Sequence, residues 1–165
     1  VSRCRDPMMD LSLDIRQAAN VEAAIQQFCQ PEKLSQSARY RCEGCGQTVA
    51  AAKQFHLHQL PACLTIHLKR FSVNLHTGYP VKVNREVEFA EQMELADATG
   101  LHHYRLYALI VHEGSGCNVG HYHAFVRAPN DLWYSMNDDQ VMQVSISTVL
   151  RQKAYLLFYR RIAKD

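Results

Sequence analysis

A chain of 165 residues, 47% of them hydrophobic and 21% charged, has the size of one ordinary domain and enough apolar side chains to bury a core, which excludes a disordered segment. Its formal net charge of +2 is too small to argue for nucleic acid or an anionic membrane surface as a partner. No apolar run approaches the ~20 residues of a membrane span, and Val1-Ser2-Arg3-Cys4 opens with neither methionine nor a signal peptide, as expected of a processed or excised piece.

Along the chain, "MMDLSLDI" (8–15) alternates apolar and polar residues and predicts a half-buried strand. Asn20 is placed to cap a short helix from Val21 to Cys29, with Val21, Ala24, Ile25 and Phe28 on one face and Pro31 beyond its end. "RYRCEGCGQTVAAAKQFHLHQL" (39–60) reads as strand, tight turn and strand, with Gly44 and Gly46 letting the backbone fold back. "CLTIHLKRF" (63–71) predicts a strand, followed by a polar loop through Gly78-Tyr79-Pro80 and another strand at "REVEFA" (85–90). Residues 91–103 form the least patterned stretch, expected as a loop. "YRLYALIVHEG" (104–114) is a long, mostly apolar strand, "HYHAFVRA" (121–128) alternates, and "LWYSMND" (132–138) runs into a polar turn. A short helix follows Ser145 through Leu150, and "AYLLFYRR" (154–161) closes the chain as a buried strand. Short loops between such strands predict an α+β fold, mainly antiparallel sheet with a few short helices.

Two constellations carry chemistry. Six cysteines (4, 29, 42, 45, 63 and 117) include only one closely spaced pair, and Cys63 lies in an apolar strand, so free thiols in a reducing compartment fit better than a disulfide framework. Cys42 and Cys45 stand in C-x₂-C spacing around Gly44, a turn that aims two thiolates at one tetrahedral metal and forms half of a zinc site. Two ordinary turn cysteines are the competing reading. Cys4, Cys29, His56 and His58 are the only candidates in the chain for completing such a site.

The second constellation runs from His112 to Asp139. The strands 121–128 and 132–138 are joined tightly enough to pair as a hairpin, which places His121 at one end and Asn137 or Asp138 at the matching end of its partner. An imidazole held at one nitrogen by an amide or carboxylate is a general base with the other nitrogen free, and the nucleophile such a pair usually serves is cysteine. On pattern alone His123, on the same face, has an equal claim. A histidine at a strand end and an Asn-Asp-Asp turn are also ordinary surface chemistry.

"GHYHAFVRAPNDLWYSMNDDQV" (120–141), followed by "AYLLFYRR", closely resembles the histidine box of the ubiquitin-specific proteases, the papain-like ubiquitin carboxyl-terminal hydrolases. "YRCEGCGQTVAAAKQFHLHQLPACLTIHLKRF" (40–71) resembles their second zinc-knuckle pair and the L-x-L-K-R-F strand, and "YRLYALIVHEGSGCNVGHY" (104–122) resembles the palm strand and loop leading into the catalytic histidine. The resemblance covers residues 8 to 161, and Met136-Asn137-Asp138 is similar to the subgroup with Met-Asn-Asp where others carry Phe-Asp-Asp.

The resemblance implies the C-terminal half of a papain-like peptidase domain, a single partial domain over 1–165. Residues 8–60 would form a β-hairpin finger extension and its flanks, and 61–165 a palm with the histidine box. His121 would be the general base, Asn137 the residue orienting it, and Asp138 an accessory polar group. Gly120 and Tyr122 would line the channel for the glycine-glycine tail of ubiquitin, and Cys42 and Cys45 would be two of four structural zinc ligands. His123 falls at a variable position and loses its claim.

The chain departs from the family pattern at two points. No segment resembles the N-terminal cysteine box, so none of Cys4, Cys29, Cys63 and Cys117 inherits the role of nucleophile, and the first zinc-ligand pair is expected upstream of Val1. The intact protein is therefore expected to be an intracellular deubiquitinating thiol hydrolase, nuclear or cytoplasmic. It would cleave the isopeptide bond after the C-terminal glycine of ubiquitin, with ubiquitin and ubiquitinated proteins as partners and with neither nucleic acid nor membrane. The chain alone is expected to be inactive. The alternative is a non-catalytic ubiquitin-binding module, either a pseudoenzyme or a truncated isoform. A zinc-dependent nucleic-acid domain is disfavoured by the near-neutral charge and the lack of an aromatic-basic stripe.

Overall fold

The computed structural model of the chain describes residues 2–34, 40–42, 44–75, 77–116 and 119–163. Its elements in chain order are β1 (Leu11–Leu13), α1 (Val21–Phe28), β2 (Glu32–Lys33), β3 (Tyr40–Arg41), β4 (Thr48–Val49), β5 (Ala52–Lys53), β6 (Cys63–Leu68), β7 (Phe71–Val73) and β8 (Pro80–Lys82). There follow β9 (Gln92–Asp97), β10 (Gly100–Glu113), β11 (His121–Arg127), β12 (Trp133–Asn137), β13 (Gln140–Val144), α2 (Ile146–Leu150) and β14 (Ala154–Ile162).

An eight-stranded sheet in the order β1-β6-β14-β10-β11-β12-β13, with β9 also on β10, makes up most of the molecule. β10 is its spine, because 14 residues are long enough to pair with β9 at one end and β11 at the other along one edge, and with β14 along the opposite edge. The expected antiparallel arrangement holds along the sheet except between β1 and β6, which run parallel with Leu11 opposite Ile66. A parallel neighbour needs a long crossover, and α1 with the strands β2 to β5 supplies it.

The core is built from one face of the central strands: Leu64, Ile66 and Leu68 of β6, Leu106 and Leu109 of β10, and Leu157 and Tyr159 of β14 are all buried. Each such side chain contributes roughly 1.5–3 kcal/mol by leaving water. Val21, Ala24 and Ile25 of α1 belong to the same cluster. The helix starts where expected, Asn20 Oδ1 accepting from Ala23 N at 2.8 Å, and Cys29 is its C-terminal cap. Ser145 caps α2 in the same way through Thr148 N at 3.2 Å. Four positive-φ glycines are present, of which Gly46 (φ 68°) matters for the fingers-like hairpin: it closes the turn between β3 and β4, its N–H donating to Cys42 O at 2.7 Å. β2 pairs with β5 at the base of the same excursion.

Four regions differ from the sequence reading, the first being the expected polar loop after residue 71, where β7 and β8 pair as a hairpin with Phe71 opposite Lys82 and Val73 opposite Pro80. Residues 91–103 are not a loop but the β9–β10 hairpin, with Met93 and Leu95 buried on alternate positions. Its turn is fixed by Asp97, whose carboxylate accepts from Thr99 N, Thr99 Oγ1 and Leu60 N at 2.6–2.7 Å. The Thr99 hydroxyl and then the Leu60 N–H hold that carboxyl far below its usual range. Residues 85–90 are extended without being a sheet strand. Glu88 makes a single parallel bridge to Asn20, exchanging bonds with Val21 N and Ala19 O, and Val87 and Phe89 are buried. The buried Tyr159 hydroxyl, whose pKa burial pushes well up, ties this segment down by donating to Ala90 O at 2.7 Å. Finally, the polar turn after 138 leads into β13, a further strand paired with β12 and capped by a two-residue turn in which Asp138 has φ 53°.

Candidate active site

The β11–β12 hairpin is closed by Ala128 N donating to Leu132 O at 2.9 Å, and its ladder runs from Arg127 opposite Trp133 to Ala124 opposite Met136. One step further along this register His123 faces Asn137, so His121 is its diagonal neighbour on the same face. The hydrogen bond is nevertheless made by His121: its Nε2 lies 2.5 Å from Asn137 Oδ1. Diagonal neighbours on one face of a sheet are within reach of long side chains. His123 turns instead to the ring of Phe125, 5.4 Å away edge to face. An amide oxygen only accepts, so Nε2 carries the hydrogen and Nδ1 of His121 keeps a lone pair. Among the described residues no side chain occupies Nδ1, and the imidazole is 45% exposed. Asp138, in the turn behind Asn137, stands with Oδ2 3.7 Å from the same Nε2 and is largely exposed.

The approach to His121 is governed by two glycines. A Cβ on Gly114 (φ 140°) would sit 2.4 Å from Val119 O, and one on Gly120 would sit 2.1 Å from His112 Nε2 and 2.4 Å from Glu113 O. His112 thus fills the space that a side chain at position 120 would need. It is buried, lies edge-on to Phe71 at 5.1 Å and against Tyr122 at 4.6 Å, and its Nδ1 has no partner among the described residues. Burial, reinforced by Lys82, holds its pKa below the ordinary value, which favours the neutral imidazole. Of the two expected channel residues, Gly120 packs its bare Cα on His112, while Tyr122 is half exposed and faces Tyr155 at 6.0 Å. Tyr155 is the extra residue of a bulge, since Ile110 pairs with Leu156 but Val111 with Ala154. His112, Phe71 and Tyr155 were not identified with this wall from the sequence. The one available signal was a histidine ending an otherwise apolar strand, a polar residue at a core position.

Cys42 and Cys45 face each other across the β3–β4 turn, and N–H groups of Cys45 and Gly44 hold the Cys42 thiol below its ordinary pKa. That suits one half of a metal knuckle. The proposed completions lie elsewhere. Cys29, His56 and His58 line a separate cavity beside Phe55 and Asp97, and Cys4 bonds Asp6. Among the described residues no three His, Cys, Asp or Glu side chains form a metal-sized group. The five described cysteines are free thiols; Cys117 and Glu43 lie outside the described residues. Among the described residues no helix is long and apolar enough to cross a membrane.

The profile of the family described as "Ubiquitin carboxyl-terminal hydrolase" matches residues 14–159. Ubiquitin carboxyl-terminal hydrolase 23 of Arabidopsis thaliana is 41% identical over 162 residues, covering 94% of this chain and 18% of that protein. Ubiquitin carboxyl-terminal hydrolase 42 of Homo sapiens is 39% identical over 166 residues, covering 98% of this chain and 12% of that protein. Among solved structures, the SAGA Ubp8/Sgf11/Sus1/Sgf73 DUB module bound to ubiquitin aldehyde superposes with a TM-score of 0.85 at 32% identity, over 97% of this chain and 37% of that one. A yeast SAGA DUBm structure gives 0.87 at 34%, over 97% and 36%. The chain therefore spans only a minor part of the length of these relatives. Every strand of its sheet except β1 and the last residues of β14, the β3–β4 hairpin and the strand bearing His121 fall within the matched residues 14–159, and the chain belongs to the ubiquitin carboxyl-terminal hydrolase family.

Proposed function

We propose that this chain is the fingers and palm portion, the C-terminal half, of a deubiquitinating thiol hydrolase, and that it supplies the base but not the nucleophile. The observation that carries the reading is the 2.5 Å contact between His121 Nε2 and Asn137 Oδ1 in a member of this family. With Nε2–H donated to Asn137, Nδ1 is the nitrogen that takes the proton of a cysteine thiol carried on a segment resembling the cysteine box. The thiolate attacks the carbonyl of ubiquitin's terminal glycine. The imidazolium returns a proton to the departing lysine amine, and water then clears the thioester. Asn137 fixes the tautomer, and Asp138 adds a nearby carboxylate. Met136-Asn137-Asp138 supports placing the chain in the Met-Asn-Asp subgroup.

Gly120 and Tyr122 flank the path for the glycine-glycine tail, with ubiquitinated proteins as substrates. A related structure was solved bound to ubiquitin aldehyde, which supports ubiquitin as the ligand. Residues 8–60 act as fingers and 61–165 as palm, inside a single partial domain. Cys42 and Cys45 would hold a structural zinc ion together with a second ligand pair, and the metal would brace the fingertip without touching the reaction. The free thiols fit an intracellular location, nuclear or cytoplasmic.

The test is cleavage of a ubiquitin-linked fluorogenic reporter by the protein that carries the nucleophile. His121→Ala should abolish turnover, and turnover near normal in that variant sinks the assignment. A wild-type protein that binds ubiquitin without turnover would establish the non-catalytic binding module instead.

A further inference from the structure

At the end of β10, the neighbour of the strand that bears His121, four cationic side chains line one cavity, bonded to backbone carbonyls or to nothing but paired with no acid. A cavity of about 310 Å³ is lined by Arg70, Lys82, Glu113, Arg151 and Lys153 together with His112 and its neighbours. Arg70 forms its floor. The residue is 1% exposed; Nε donates to Ala154 O at 2.7 Å, and Nη1 donates to Val83 O at 3.0 Å and Arg85 O at 2.9 Å. Nη2, in contrast, is buried and has no acceptor among the described residues. A buried charged donor without an acceptor is a feature that native proteins seldom leave in place without a use.

The walls add charge instead of compensating it. Among the described residues neither Arg70, Lys82, Arg151 nor Lys153 forms an ion pair. The one acid on the lining, the exposed Glu113, is outnumbered four to one. Lys82 senses the excess. Its ammonium is driven below the ordinary range by partial burial, then by Arg70 and Lys153, with Glu113 acting in the opposite direction. A concave site with an unpaired guanidinium N–H buried at its base and three further cations along its walls suits a multivalent oxyanion, whose several oxygens can accept from more than one of them.

We propose that this cavity binds a small soluble phosphoryl anion of the pyrophosphate class. Arg70 Nη2 is the buried donor, and Lys82, Arg151 and Lys153 close around the anion. Occupancy reaches the histidine strand through Lys82. Its Nζ donates to His112 O and Gly114 O, both at 2.8 Å, at the root of the segment 114–120 that leads into His121. An anion that shares this ammonium competes with those two carbonyls and so bears on where the segment begins. The binding site does not depend on the hydrolase reading and stands or falls separately from it.

The experiment is isothermal titration of the full chain with inorganic pyrophosphate at constant ionic strength, with acetate as the charge control. One saturable site per chain is expected, with acetate silent. The double variant Arg151→Gln/Lys153→Gln should weaken binding roughly tenfold or more, since each removed charge costs about a factor of five at contact distance in water. Lys33→Gln/Arg41→Gln, on the finger strands, should leave it unchanged. Arg70 is left intact because its three backbone bonds serve the fold. The proposal is overturned by no saturable binding at several millimolar pyrophosphate, by equal binding of acetate, or by wild-type affinity in the double variant.

Discussion

Replacing Gly120 with alanine is the sharpest single test of how the segment before His121 is built. The new Cβ would stand 2.1 Å from His112 Nε2 and 2.4 Å from Glu113 O, both far inside contact distance. Neither neighbour yields easily. Glu113 is paired with His121 in the β10–β11 ladder, so moving its carbonyl disturbs the ladder's last pair. His112 is wedged between Phe71 and Tyr122 and is only 5% exposed. Overpacking with no flexible side chain to absorb it costs about 2–3 kcal/mol. At this chain length that lowers the melting temperature by roughly 5–10 °C.

Urea unfolding of the full chain, followed by far-UV circular dichroism, reads the change from the shift in midpoint at constant m. Gly116→Ala is the control, because a Cβ there meets no described residue within 4 Å. Adding His112→Ala opens the space the methyl needs, so the double variant should be less destabilised than the sum of the two singles, with a coupling of about 1 kcal/mol or more. A Gly120→Ala variant within 0.5 kcal/mol of wild type (roughly the error of such measurements), or strictly additive singles, would refute the close packing of Gly120 on His112.

In the protein that carries the nucleophile, Asn137→Ala should lower reporter turnover by roughly 10²-fold or more while leaving ubiquitin affinity nearly unchanged, and Asn137→Asp should retain most of it; an unaltered kcat for Asn137→Ala would remove Asn137 from the mechanism. The Asp97 carboxyl is held low in the folded chain by Thr99 and the Leu60 N–H, so its contribution to stability is present above the unfolded pKa of about 3.9 and is withdrawn as pH falls toward the folded value. Unfolding midpoints of wild type and Asp97→Asn should therefore differ most near neutral pH and converge below about pH 4; a gap that widens on acidification would contradict this sign. Where a second ligand pair is present, atomic emission should find one zinc ion per protein and Cys42→Ser should lose it, whereas full zinc content in that variant would rule Cys42 out as a ligand.

Much of this architecture is legible in the sequence. The Asn20 and Ser145 caps announce α1 and α2 because a side-chain acceptor preceding an apolar face is a local signal, satisfied within three residues. The β11–β12 hairpin is equally local. Its short connection sets where the strands end, and therefore which polar groups lie near His121. Spacing alone left His121 and His123 equal, however; the family resemblance favoured His121, and in the structure it is the diagonal hydrogen bond to Asn137, not the ladder register, that sets His121 apart. Residues 91–103 were missed because their buried positions, Met93 and Leu95, are few and set among acids and a turn. Their strand character comes from lying against β10.

By itself, the amino-acid sequence determined the strand-rich composition, the two helices with their caps, the C-x₂-C turn and the family pattern around His121. All of these are written in spacings of a few residues. The tertiary structure alone decided the parallel pairing of β1 with β6, the bulge that turns Tyr155 toward Tyr122, and the fit of His112 against Gly120. It also decided the gathering of Arg70, Lys82, Arg151 and Lys153 around one cavity. These contacts join residues far apart in the chain, and no local period or propensity encodes a distance that exists only once the sheet has closed.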